Sequence, residues 1–160
     1  MRIITTETKV YKYDELTEEQ KEKALSKLYD LNVDHDWWEF TFEDAEQAGL
    51  KITSFDLDRN RHVKGYLTGS LEDSIEAIMS NHGEKTDTCR LAEEYKAKLT
   101  YDEDGELIDR DELGEDYTKA LREEYASMLQ QEYDYLTSRE AIEETIRANE
   151  YDFTEDGKIF

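Results

Sequence analysis

The sequence predicts an α+β fold, helices packed on a small antiparallel sheet with a helical C-terminal part ending in a short hairpin. Three observations carry that expectation. Apolar residues recur at helical spacing behind hydroxyl residues that suit helix starts, as at Thr17 with Gln20, Ser70 with Asp73 and Thr137 with Glu140. Two β-favouring runs flank Arg59-Asn60-Arg61, and an Asp-Gly turn occurs twice between β-type residues, at Asp104-Gly105 and Asp156-Gly157. One domain over residues 1–160 is the default at this length, with a sub-division near residue 100 as the alternative.

Residues 3–13 alternate loosely, and Val10, Tyr11 and Tyr13 favour a first strand. Thr17 and Gln20 form a capping-box pattern ahead of Ala24, Leu25, Leu28 and Leu31, the core face of a first helix. The next helix is expected from Trp37 to Ala48, closed by Gly49. At about 100° per residue, Trp37, Thr41, Ala48, Ala45, Trp38 and Phe42 fall within an arc of roughly 140°. Glu39, Glu43, Asp44 and Glu46 lie opposite, and Phe40 stands among these carboxylates, outside the amphipathic pattern.

Residues 52–58 and 62–67 read as a hairpin whose tip collects Arg59, Arg61, His62 and Lys64, the one basic cluster in the sequence; such charges keep an edge hairpin from aggregating. Ser70 opens a helix through Leu71, Ile75, Ile78 and Met79, with His82 in its last turn, and Thr88 begins a shorter one through Leu91, Ala92, Tyr95 and Leu99. A tight turn at Asp104-Gly105 precedes a long helix from about Asp116 to Leu136, in which Glu132 projects into the apolar arc. Thr137 caps the last helix, which ends near Asn149. The closing pattern, aromatic-x-Glu-Asp-Gly-x-aliphatic at Phe153 to Ile159, repeats Tyr101 to Leu107 and predicts a second hairpin.

Forty-two acidic residues against 20 basic ones leave a formal charge of −22. That exceeds the magnitude of ~2 to 8 that solubility asks of a small domain, and the self-repulsion opposes compaction. Hydrophobic residues at 37% and aromatics at 11% nevertheless provide for a core, so a disordered polyanion is excluded. Direct binding to free DNA or to an anionic membrane is disfavoured by the same charge, whereas a basic protein surface is favoured. A single cysteine, Cys89, excludes an internal disulfide and a cysteine-rich zinc site, and fits a reducing cytoplasm. No run approaches ~18 consecutive apolar residues, so no membrane span or secretion signal is expected.

No phosphate-binding glycine loop or nucleophile elbow is present, and the three histidines are scattered. A calcium loop centred on Gly105 fits poorly, with Thr100 at its first position and Asp111 rather than Glu at its twelfth. Asp56-x-Asp58 puts two carboxylates on one face of a strand, a geometry open to a divalent cation. A metal-assisted hydrolase built on that pair is therefore the enzymatic alternative. The leading expectation is a non-enzymatic protein with no catalytic residue, metal or cofactor.

The stretches Tyr11-Lys12-Tyr13-Asp14-Glu15-Leu16-Thr17, Asn32-Val33-Asp34-His35-Asp36-Trp37-Trp38, Lys51-Ile52-Thr53-Ser54-Phe55-Asp56-Leu57-Asp58-Arg59 and Asn149-Glu150-Tyr151-Asp152-Phe153-Thr154-Glu155-Asp156-Gly157 resemble a family of acidic proteins carried by phages and other mobile elements. Most members of that family have no assigned activity. The sequence is similar to an anti-CRISPR branch that inhibits type II-A RNA-guided DNA nucleases. The resemblance implies a cytoplasmic inhibitor in the host of a phage or mobile element, with the nuclease and its guide RNA as partner and no catalytic residues to transfer.

Charge and resemblance together nominate two groups of partner-binding residues. One is the acid cluster Asp102, Glu103, Asp104, Glu106, Asp109, Asp111, Glu112, Glu115 and Asp116. The other is the outer face Glu39, Glu43 and Glu46, with Phe40 as an apolar anchor. An antitoxin-like or regulatory protein directed at another basic partner is the alternative within the binding class.

Overall fold

The computed structural model describes residues 1–160, which form six helices and two small two-stranded antiparallel sheets, an α+β architecture. In chain order these are β1 (Tyr11–Lys12), α1 (Glu18–Lys27), α2 (Glu39–Gln47), β2 (Leu50–Asp56), β3 (His62–Leu67), α3 (Leu71–Asn81), α4 (Asp87–Lys96), α5 (Arg110–Leu136), α6 (Arg139–Ala148) and β4 (Asp152–Phe153). The chain divides into two compact units, Met1–Trp37 with Glu132–Phe160, and Trp38–Gln131. No helix is long and apolar enough to cross a membrane.

In the first unit β1 pairs with β4, Tyr11 opposite Phe153 and Lys12 opposite Asp152, so the two ends of the sequence share a sheet. Only two residues of the strand expected over 3–13 are in it, because β4 offers a partner no longer than that; Ile3 and Ile4 are exposed. Tyr13, Leu16, Ala24, Ile142, Ile146 and Phe153 form the core between α1, α6 and the sheet. Thr17 and Gln20 make the reciprocal cap that the sequence predicts: Gln20 N–H donates to Thr17 Oγ1 at 3.2 Å and Thr17 N–H to Gln20 Oε1 at 2.9 Å. The cap of α6 is Ser138, not Thr137, whose hydroxyl instead donates to the Tyr133 carbonyl at 2.8 Å.

The C-terminal turn lies directly on α1. Lys27 Nζ donates to the Asp156 carbonyl at 2.6 Å and Gln20 Nε2 to that of Glu155 at 3.2 Å. Gly157 has φ +77°, and a Cβ there would stand 2.9 Å from the Ala24 nitrogen. The position therefore needs glycine for its backbone angle and for the approach. A polar cluster closes the surface around the Tyr13 hydroxyl, which donates to Glu143 Oε2 at 2.7 Å. Arg139 joins Glu18 at 2.6 Å, and Arg147 joins Asp14 at 3.0 Å.

In the second unit β2 and β3 form the expected hairpin, with the register broken between Ile52 and Ser54. β2 runs from 50 to 56 rather than 52 to 58. α2 begins at Glu39 rather than Trp37, and the two tryptophans pack separately. Trp38 joins Phe42 and Phe55 in a three-ring cluster with centroids 5.5 to 6.4 Å apart, while Trp37 meets Tyr133 at 5.7 Å in the first unit. Ser70 caps α3 as expected. Thr86, not Thr88, caps α4; Thr88 is buried inside that helix. α5 begins at Arg110, some six residues before the expected start, after Asp109 turns the chain with φ +55°.

The internal sequence repeat is a structural repeat. Tyr101 bridges Leu107, and Phe153 bridges Ile159. Asp102 N–H donates to the Glu106 carbonyl at 2.9 Å, and Thr154 N–H to that of Lys158 at 2.8 Å. Gly105 N–H donates to the Asp102 carbonyl at 3.1 Å, and Gly157 N–H to that of Thr154 at 3.0 Å. Both glycines have positive φ, +80° and +77°. One turn chemistry is thus used twice, once in each unit.

Candidate acidic interface

Every member of the cluster from Asp102 to Asp116 is exposed; Asp109, with φ +55°, stands just before α5, and the other eight carboxylates fall into two settings. Asp102 shapes the turn: its Oδ1 accepts from the Asp104 and Glu106 amides, both at 2.9 Å. Glu103, Asp104 and Glu106 project from that turn. Asp111, Glu112, Glu115 and Asp116 belong to the first two turns of α5, where Asp111 and Glu112 also complement the positive end of the helix dipole. Part of the charge density therefore has a local structural use. The start of α5 is fixed by Arg110, whose guanidinium forms a two-pronged contact with Glu72 on α3 at 2.8 and 2.9 Å. That hydrogen-bonded pair holds the Glu72 carboxyl below its ordinary value and raises the Arg110 guanidinium.

The second group lies on α2. Glu39, Glu43 and Glu46 are exposed, and Phe40 is 79% exposed among them. Glu46 is already engaged, accepting from Lys51 Nζ on β2 at 2.6 Å, and that bond raises the lysine ammonium. Both acidic groups belong to the same unit, Trp38–Gln131.

Asp44 behaves differently from the acids around it. The helical wheel places it outward with Glu43, yet its Oδ2 accepts from Tyr125 Oη on α5 at 2.8 Å and its Oδ1 faces His82 Nε2 at 3.4 Å, beyond hydrogen-bond geometry. The His82 side chain is only 8% exposed, and its Nδ1 shares a hydrogen bond with the buried Thr88 hydroxyl. A parallel link ties the end of α2 to α3 and α5. Ser74 Oγ donates to the Ala48 carbonyl at 2.6 Å and contacts Tyr117 Oη at 2.6 Å. Burial pushes the Tyr117 phenol up to about 12, and burial reinforced by Asp44 raises Tyr125 as well. Both tyrosines thus stay protonated donors, as the links require. The sequence marks Tyr117 and Tyr125 only as members of an apolar stripe, and no local signal identifies their hydroxyl partners.

The pair proposed for a divalent cation is not arranged as the strand pattern suggests. β2 ends at Asp56, whose Oδ1 accepts from the Asp58 amide at 2.8 Å; Asp58 lies beyond the strand. No group of three or more histidine, cysteine, aspartate or glutamate side chains is arranged to hold a metal ion. Cys89 is buried in the first turn of α4. Compared with protein-family models, with curated proteins and with solved structures, the chain matches none.

Proposed function

We propose that this chain is a non-enzymatic acidic inhibitor that binds a basic, nucleic-acid-handling surface of another protein. The observation that carries the reading is the stretch from Asp102 to Asp116, nine exposed carboxylates displayed on a glycine turn and the ordered start of a helix. Because the backbone beneath these carboxylates is already ordered, docking does not have to order that segment of chain. Their condensed counterions are released when a cationic surface replaces them, as when a cationic protein meets DNA. The exposed Phe40 adds an apolar contact of the type that dominates interface energetics.

The specific partner is a type II-A RNA-guided nuclease with its guide RNA, a choice that rests on the sequence resemblance. Such an enzyme reads its PAM through arginines and holds the guide–target duplex in a positively charged channel. An acidic protein seated on either surface blocks DNA binding or cleavage without any chemistry of its own. The test is a cleavage assay in which the protein is added before or after target DNA. Inhibition that is strongest when the protein precedes DNA supports occupation of the DNA path; full cleavage in both orders overturns the reading.

A further inference from the structure

The basic residues of the β2–β3 hairpin do not stand alone. A concave site of about 360 Å³ between β3 and α5 is lined by Arg61, His62 and Lys64 from the hairpin, and by Lys119 and Arg122 from α5, with Glu123 its one carboxylate. Four permanent cations against one acid is the reverse of the chain, where 42 acids face 20 bases. None of the four takes part in any of the chain's ion pairs. Arg122 is oriented by the protein itself, Nη1 donating to the Gly65 carbonyl at 3.2 Å, which leaves its other N–H groups for a ligand.

Lys119 and Arg122 also line an adjoining, more open cavity of about 800 Å³ that contains Tyr66, whose side chain is 57% exposed. A cationic end beside an exposed aromatic ring is the pairing that recognises a nucleotide, phosphates on the cations and base on the ring. The larger cavity is also lined by Asp111, Glu115 and Asp116, the last two within one turn of Lys119 on α5, so phosphate is favoured in the smaller groove, where Arg61 and Lys64 add their charge. Screening with a Debye length of about 8 Å at physiological ionic strength confines most of the remaining acidic field to its own surroundings.

We infer that the β3–α5 groove is a nucleotide-phosphate site, its phosphates held by Arg61, Lys64, Lys119 and Arg122. The phosphates can belong to a free nucleoside triphosphate or to a short stretch of single-stranded RNA. The inference does not depend on which protein the acidic surfaces bind.

The experiment titrates the full chain at physiological ionic strength, where the acidic field is screened, with ATP and, separately, with a fluorescent single-stranded RNA dodecamer. Variants Arg61→Glu and Lys119→Glu test the groove, and Lys85→Glu, the same charge change in the α3–α4 loop, serves as the control. Thermal midpoints and circular dichroism verify that each variant is folded. Binding of either probe that weakens about tenfold or more in Arg61→Glu and Lys119→Glu, the usual loss for one charge-assisted hydrogen bond, supports the site, provided Lys85→Glu binds like the parent. ATP alone binding assigns a free nucleotide, and RNA alone assigns a strand. Absence of binding by both probes, or equal weakening in Lys85→Glu, overturns the inference.

Discussion

Tyr125, buried in the middle of α5, donates its hydroxyl to Asp44 of α2 at 2.8 Å, and this bond ties the rim of α2's outward face to α5. Asp44 lies one turn after the exposed Phe40, so the bond tethers the edge of the face that Phe40 and Glu43 present. Replacing Tyr125 with Phe removes the donor and keeps the ring. The expected cost is about 1 kcal/mol, below the usual value for a hydrogen bond to a charged group because the Asp44 side chain is 44% exposed. Denaturant unfolding of Tyr125→Phe, Asp44→Ala and the double variant checks it. The two losses must be less than additive, since each change removes the same bond.

The three-ring cluster of Trp38, Phe42 and Phe55 joins α2 to β2. Trp38→Ala should cost about 3 to 5 kcal/mol, the range for emptying a large aromatic site. Chemical denaturation measures it. A stable variant with lost binding would move Trp38 from the core to the interface.

The repeated turns give a matched pair of glycines. Gly105 and Gly157 have nearly the same positive φ, but a Cβ at Gly105 meets nothing within 4 Å, whereas one at Gly157 lies 2.9 Å from the Ala24 nitrogen. Gly105→Ala should cost about 1 to 2 kcal/mol, the backbone penalty alone. Gly157→Ala should cost more, since the C-terminal turn must also withdraw from α1. Thermal unfolding of the two variants compares them directly, and equal losses would mean that the turn sits less closely on α1.

Acid should destabilise the protein through three carboxylates whose folded values are depressed. Asp14 is lowered chiefly by its hydrogen bond to Arg147, and Glu72 by that to Arg110. Burial pushes Glu143 up, but the Tyr13 hydrogen bond and the Arg139 and Arg147 guanidiniums outweigh it. A depressed carboxyl contributes its full stabilisation above its unfolded value, about 3.9 to 4.3, and loses it as pH falls through the folded value. Thermal midpoints should therefore hold above about pH 5 and fall progressively below pH 4. Glu143→Gln should flatten that fall.

Local chemistry was readable where one residue type decides it. The Thr17–Gln20 cap, the Ser70 cap and the twin Asp-Gly turns form as their sequences predict, because each is complete within a few residues. Neighbouring hydroxyls made the other caps ambiguous, and Ser138 and Thr86 took the places expected of Thr137 and Thr88. The start of α5 was hidden because Asp111, Glu112 and Glu115 resemble a charged loop, while the same acids suit a helix N-terminus. What sequence could not reveal lies across elements. Asp44 is one acid among several on its helix until Tyr125 reaches it, and Lys119 and Arg122 have no visible link to the hairpin cations until β3 and α5 form a groove.

The exposed carboxylates between Asp102 and Asp116 are proposed to carry binding. The most direct measurement is inhibition of a type II-A nuclease across a salt series, comparing the parent with a variant in which Glu103, Glu106 and Glu115 are Gln and Asp104 and Asp116 are Asn. Asp102 stays, because it holds the turn. The parent should inhibit at low salt and progressively less as salt rises, and the variant should lose inhibition with its unfolding midpoint unchanged or raised. Undiminished inhibition by the variant, or by the parent at high salt, would contradict the claim.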